Sequence, residues 1–395
     1  MDSRAPSRLK RSSRVRNEVA NFLRLTQSHP HNLAAVIACG KAKLATAAPA
    51  GSLYTSGRFR SQLKLARHFA KKTFVLSAKH GVLDIREEIE PYDVTYPNGI
   101  FASDKSLQGI QSLQGDFPIV FLGGNRYFEV ISRSISSDRL YSPLLHLNTF
   151  EAASFSKALN DFADRESQTR VLYDFLEGTA RRNGLYEFRR FPDIQKIPHQ
   201  GVYFVFDPSE PTSYSNTLPR IVRIGTHGVS VGSKSTLRTR LRAHFGQRDG
   251  TGNHRASIFR LHVGNALVNK LGARKNFPDW GVGMSAPPDI RVAEREMESC
   301  VSEYIGSLLF TFLDVEDLSS PQSGRAVIER SVINLLTADS IPVEVSSNAW
   351  LGHYSVVEEI RTTGLWNIQH SGFRYVRGAM KEAYRVASNP VFAGV

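Results

Sequence analysis

GVYFVFDPSEPTSYSNTLPRIVRIGTHG, residues 201–228, decides how the second half of this 395-residue chain is read. Both ends are short apolar runs rich in β-branched and aromatic residues that alternate as a half-buried strand does. Between them, Pro, Ser, Thr and Asn crowd together as they do in turns. GVYFVFD (201–207) and RIVRIG (220–225) are therefore expected to be partner strands. The second run is unusual: Arg223 breaks the apolar pattern, and Gly225, Thr226 and His227 come directly after it. A glycine at a strand end permits close approach of another backbone, and a phosphate there would give Arg223 and His227 a partner.

Working outward, STLRTRLRAHF (235–245) reads as a basic helix and IRVAEREMESCVSEYIG (290–306) as a longer one. LLFTFLDV (308–315) is a further strand, and SGRAVIERSVINLLTA (323–338) a further helix. Upstream, LAAVIAC (33–39), TFVLSA (73–78) and PIVFLGG (118–124) are apolar strands, each ending in a small, polar loop; helical spacing in SGRFRSQLKLARHFAKK and NRYFEVISRSI comes after the first and the third. Repeated strand, loop and helix is the form of a three-layer α/β domain with a mostly parallel sheet. The expected division is a basic, disordered arm over 1–30 (with an amphipathic helix in RNEVANFLRLTQ), an α/β domain over 31–165, a helical linker over 166–197 and an α+β domain over 198–395.

A formal charge of +13 points to a polyanionic partner, nucleic acid before an acidic membrane surface. Two cysteines, Cys39 and Cys300, make neither a disulfide framework nor a cysteine-rich zinc site, so a reducing cytoplasm is expected. The basic N-terminus lacks the apolar core of a secretory signal. No apolar run reaches the ~20 residues of a spanning helix, and no membrane association is expected.

Gly201-Val202-Tyr203 and Arg223-Ile224-Gly225 resemble the two strand motifs of GIY-YIG nucleases. Residues further down the chain strengthen the likeness by their order: Arg240 and His244 on one helix, His254 in GNHRASIFR, Glu329 on a later helix, and Asn348 in SSNAW where the family places its last asparagine. One departure is plain, since Arg223 stands where the second motif normally has tyrosine. The resemblance implies a small antiparallel sheet flanked by helices and a metal-dependent cleavage of phosphodiester bonds. Hydrolysis needs an activated water, a cation for the oxygen charge and a proton for the leaving oxygen. Glu329 is a hard oxygen ligand suited to Mg²⁺ or Mn²⁺. Arg240 can fork onto two phosphate oxygens, and His244, at i+4, shares its helix face. Tyr203 resembles the tyrosine that helps activate the water, with Arg223, His227 and the metal supplying charge that would lower its pKa. Trp350 and Trp366 are either base-stacking residues or core.

In an open parallel sheet, ligands bind at the carboxyl ends of strands. The polar groups expected there are Cys39, Lys41, Lys43, Tyr54, Ser56, Ser77, Lys79, His80, Tyr92, Asp93 and Asn125. The pattern ACGKAK…LYTSGRF…LSAKHGVLD…PYD looks like an uncharacterised domain related to the core of archaeosine synthase and to 7-deazaguanine metabolism. That resemblance implies a pocket that recognises a modified base, or excises it as a DNA glycosylase through Lys43 or Lys41, after flipping the base from the stack. The whole chain then reads as a bacterial restriction or antiviral enzyme acting on modified phage DNA. Homodimerisation is left open. The alternatives are an RNA- or tRNA-directed enzyme and a non-catalytic nucleic-acid-binding protein.

Overall fold

The structure is a computed structural model that describes residues 13–29, 32–94, 109, 113–190, 194–247 and 249–387. The chain forms two compact units that meet in sequence at Asp164 and Arg165. Among the described residues no helix is long and apolar enough to cross a membrane.

The first unit is built on the strand Ala34–Ala38, which pairs in parallel with Lys72–Ser77 on one side and Ile119–Leu122 on the other. Leu140–Tyr141 extends the parallel set. Val36, Phe74, Leu76 and Phe121 are buried in its core, as apolar strands covered on both faces require. The loop expected at KHGVLD is instead a strand, Gly81–Asp84, antiparallel on Lys72–Ser77. Gly81 takes a positive φ of 75° to make that turn, a conformation open to glycine at no steric cost. Within the segment expected as a disordered arm, Ser13–Ser28 is a helix that buries Val15, Val19, Phe22 and Leu23. Phe22 packs edge-on against Phe69 and Phe155, which ties that helix to the unit's core. Residues 1–12 lie outside the described residues.

Thr149–Asn183 is one continuous helix of 35 residues. The segment expected to link the domains, 166–197, is therefore helical up to Asn183. It also packs: Leu172, Tyr173 and Leu176 are buried among Phe204, Phe206 and Ile221 of the second unit.

The second unit carries a four-stranded antiparallel sheet in the order Arg220–Gly225, Gly201–Asp207, Leu309–Asp314, Tyr186–Glu187. Alternation along Gly201–Asp207 sends Tyr203 and Val205 to one face and Val202, Phe204 and Phe206 to the other. The first face is covered by helices Leu237–Phe245, Ile258–Lys270 and Arg295–Ser307, the second by Gly324–Thr337 and the end of Thr149–Asn183. Trp350 and Trp366 are core residues of the first face, their rings 5.3 Å apart, so neither is a base-stacking platform.

The register of the first pair slips between Ile221 and Arg223. Ile221 is opposite Phe206 and Arg223 is opposite Val205, which leaves Val222 as the extra residue of a β-bulge. Val222 joins the core of Tyr203's face while Ile221 and Ile224 join the opposite one. The bulge thus presents two consecutive side chains, Val222 and Arg223, on the face that carries Tyr203.

Candidate functional site

A cleft of about 360 Å³ opens where the strand Arg220–Gly225 ends. Arg223, Thr226 and His227 come from that strand and its exit, Arg240 and His262 from two helices of one face, and Glu329 from the helix of the other. The loop Gly228–Ser235 and the segment Trp366–Gln369 complete its walls.

Behind Arg223 lies a closed polar chain. Arg223 Nε donates to Tyr203 Oη at 3.3 Å, and Tyr203 Oη is 2.8 Å from His244 Nε2. His244 Nδ1 is 2.7 Å from Ser257 Oγ. These contacts fit a neutral imidazole, which donates through one ring nitrogen and accepts through the other, between two hydroxyls that can serve in either role. Burial first, then the charges of Arg223, Arg240 and Arg260, holds His244 well below its ordinary pKa. Tyr203 and His244 are fully buried and do not line the cleft. Their route to it is Arg223, which also donates to Trp366 O at 2.8 Å and lies 4.9 Å over the Phe259 ring. Of the two helix residues expected to face one phosphate, Arg240 lines the cleft, while His244 turns inward from the same helix.

The glycine at the strand end answers to the tyrosine rather than to a phosphate. Gly225 is directly opposite Tyr203 in the ladder. A Cβ there would overlap Tyr203 Oη and Cζ and lie 2.8 Å from Cε1.

Glu329 reaches the cleft near the backbone N–H of Thr226. Burial pushes that carboxyl above the usual range, against the opposing pull of Arg223, the Thr226 amide, Arg240 and Arg330. A carboxylate that three neighbouring arginines leave incompletely stabilised is a fitting ligand for a further cation. Mg²⁺ keeps several waters and is commonly held by one or two carboxylates, so the donor set fits, although no group of three or more metal-binding side chains occurs among the described residues. The Nε of Arg240 is buried and has no hydrogen-bond partner among the described residues. A buried, unpaired guanidinium donor facing a cleft is costly and suits an incoming phosphate.

Three other expected residues are placed differently. His227 lines the cleft, but its Nδ1 donates to Ser235 O at 2.9 Å and its Nε2 lies 3.1 Å from Arg325 Nη1. Arg325 is itself fully buried and paired with Asp317. Burial, aided by Arg325, lowers His227 to a pKa of about 4, so it is a neutral fastener of the Gly228–Ser235 loop. His254 lies outside the cleft, bonded to Glu298 at 2.9 Å and stacked 4.0 Å from Trp280. Asn348 is exposed in a turn and does not line the cleft. The asparagine that does is Asn367: its Nδ2 donates to Ile224 O at 2.7 Å and its Oδ1 accepts from Ile224 N at 3.0 Å. With Trp366 N donating to Val222 O, this segment covers the open edge of the strand that carries Arg223. His262 is a second wall residue that sequence reasoning does not reach. The sequence hint for Asn367 is a lone amide between Trp366 and Ile368; for His262 there is none beyond its position four residues after Ile258, another wall residue.

In the first unit, strands Lys72–Ser77 and Ile119–Leu122 lie on opposite sides of Ala34–Ala38, the arrangement that leaves a crevice at the carboxyl end of the central strand. Tyr92 gathers most of the expected residues there. Its Oη is 2.8 Å from Tyr54 Oη and 2.7 Å from Ser77 Oγ. Lys43 Nζ lies 4.3 Å and Lys79 Nζ 5.8 Å from its ring centre, and the His80 ring is 5.3 Å away, edge-on. Burial raises Tyr54 to about 12 and raises Tyr92 further, so both hydroxyls stay protonated. Cys39 Sγ is 3.1 Å from Tyr127 Oη. Ser56 caps the helix Gly57–Phe69, while Lys41, Asp93 and Asn125 are exposed.

A small antiparallel sheet whose edge gathers two arginines, one carboxylate and a tyrosine–histidine pair has the make-up of a phosphodiester-cleaving domain. The sequence model of the GIY-YIG domain matches residues 163–388, more than half of the chain, and the chain belongs to that family. Its second unit is thus a nuclease domain, with nucleic acid as its substrate; such nucleases generally depend on a divalent metal. Residues 34–156 match a family of unknown function (DUF6884), and this match takes the place of the expected likeness to archaeosine synthase. Neither the curated proteins nor the solved structures gave a match.

Proposed function

We propose that this protein is a Mg²⁺- or Mn²⁺-dependent DNA endonuclease in which the first unit reads a modified base, as a restriction enzyme against modified phage DNA would. The observation that carries the nuclease reading is the convergence of Glu329, Arg223 and the unpaired Arg240 Nε on one cleft. Glu329 would hold the ion, which supplies Lewis acidity at the phosphate. Arg240 and Arg223 bind and orient the phosphodiester. Tyr203, held by His244, acts from behind the cleft by orienting the Arg223 guanidinium.

Base reading is favoured over base excision by the state of Lys43. A lysine nucleophile needs a desolvated amine. Lys43 is half-exposed, its Nζ donates to Lys41 O at 3.3 Å, and it faces the rings of Tyr92 and Tyr54. The half-exposed Tyr92 ring, with the Tyr54 and Ser77 hydroxyls beside it, suits stacking and hydrogen bonding to a base edge.

The test is cleavage of unmodified plasmid, modified phage DNA and tRNA with Mg²⁺ or Mn²⁺. Cleavage of modified DNA alone is expected. Equal cleavage of both DNAs would remove base reading and keep the nuclease, preferential tRNA cleavage would favour the RNA reading, and cleavage of none would leave a binding protein.

A further inference from the structure

We propose that His262 is the general acid of the cleavage reaction, giving its proton to the nucleoside oxygen that leaves phosphorus. The assignment rests on the nuclease reading of the same cleft. His262 sits on the helix Ile258–Lys270, four residues after Ile258, and both line the cleft. Its side chain is buried, the residue being 7% exposed, yet neither Nδ1 nor Nε2 has a hydrogen-bond partner among the described residues. Buried polar atoms are paired in the great majority of cases, and exceptions concentrate where a ligand will supply the partner.

The other groups in reach are committed. His227 is fastened through both nitrogens, and His244 lies behind the cleft against Tyr203. Arginine does not give up a proton near neutral pH, and Glu329 would be engaged with the metal. Hydrolysis still requires a proton at the leaving oxygen, and an imidazole is the side chain most often used for that transfer.

The charges facing His262 make its proton conditional on substrate. Arg223 and Arg240 are cations in the same cleft, opposed by Glu329. Burial, then Arg223, lower its pKa to about 4. A bound phosphodiester brings a negative charge between the arginines and the imidazole, which favours the imidazolium. The cycle balances. His262 takes a proton from solvent as the phosphodiester binds. Water adds its oxygen to phosphorus and releases one proton to solvent. The bond from phosphorus to the leaving oxygen breaks, its electron pair stays on that oxygen, and the His262 proton neutralises it.

The experiment uses the full-length protein, as wild type, His262→Ala and the nearly isosteric His262→Gln. The substrates are three DNAs of one sequence, with oxygen at the scissile linkage or with sulfur in place of O3′ or O5′. A thiolate leaves without protonation. Each substrate is assayed with Mg²⁺ and with Mn²⁺, and circular dichroism confirms that each variant is folded. We expect both variants to cut the oxygen-linked DNA about 10²- to 10⁴-fold more slowly and to cut one of the sulfur-linked DNAs at close to the wild-type rate. An equal loss on all three DNAs, or no loss on the oxygen-linked DNA, overturns the assignment while the nuclease reading stands. Wild-type protein that cuts none of them overturns both.

Discussion

Substituting Gly225 by alanine tests the packing logic of the site at one atom. Gly225 sits in regular strand backbone opposite Tyr203, so nothing in its own conformation excludes a side chain. What excludes one is Tyr203, whose Oη and Cζ would be overlapped by the new methyl. The ring has no easy escape, being fully buried and held by His244 at 2.8 Å and Arg223 at 3.3 Å. Overpacking costs about 1–3 kcal/mol, and tilting the ring forfeits two hydrogen bonds worth about 0.5–1.5 kcal/mol each. The total, roughly 2–6 kcal/mol, would lower the unfolding temperature of a domain of this size by about 5–20 °C. Thermal unfolding monitored by circular dichroism measures it, and a double-mutant cycle assigns the cause. With Tyr203→Ala as background the methyl has room, so Gly225→Ala should then be nearly neutral, giving a coupling close to the full cost, roughly 2–6 kcal/mol. Equal costs in both backgrounds, or a shift under about 1 °C in the wild-type background, would refute the claim that the tyrosine keeps this position glycine.

Three other outcomes are expected. Glu329→Gln should reduce DNA cleavage roughly 10³-fold or more, as should chelation of the metal, while a gel-shift assay shows DNA binding retained. Arg240→Lys should lose about 10²- to 10³-fold in cleavage rate, because a point charge does not replace a planar fork. Stability should fall as pH drops from about 6.5 toward 4. His227 and His262 titrate at about 4 and His244 well below its ordinary value, so the unfolded chain binds protons in this window that the folded chain refuses. Each buried histidine contributes a slope of about 1.4 kcal/mol per pH unit, and urea titrations of His262→Gln should show that slope reduced by one histidine's share.

The strands of the second unit are legible in the sequence because alternation and turn chemistry act over a few residues. Gly201–Asp207 and Arg220–Gly225 fall where the pattern places them. The helix Ile258–Lys270 is not, because its inward side buries Arg260 and His262 alongside Phe259 and Val263, which blurs the apolar period. Glu329 and Arg240 can be found in order along the chain because each sits on a regular helix. Order along the chain points to Asn348 rather than Asn367 because the tail between them is irregular, and position along such a tail does not fix position in space. The role of Gly225 is hidden for a related reason: a strand residue's nearest neighbour is across the ladder, and its identity depends on register. The small-residue loops at strand ends in the first unit do mark the Tyr92 cluster, since there the topology of a parallel sheet does the gathering.

Val222 touches neither phosphate nor metal, and it would pass unnoticed in any inventory of chemical groups. Deleting it would leave every catalytic side chain in the sequence. Ile221 and Arg223 already lie opposite the neighbouring residues Phe206 and Val205, so the shortened strand would pair in regular register and Arg223 would still face Tyr203. A change of one residue in length is here absorbed by the bulge, and what it removes is Val222's place in the core. Relatives that differ by a single insertion in this strand should therefore be aligned by their partners across the ladder before their second-motif residues are compared.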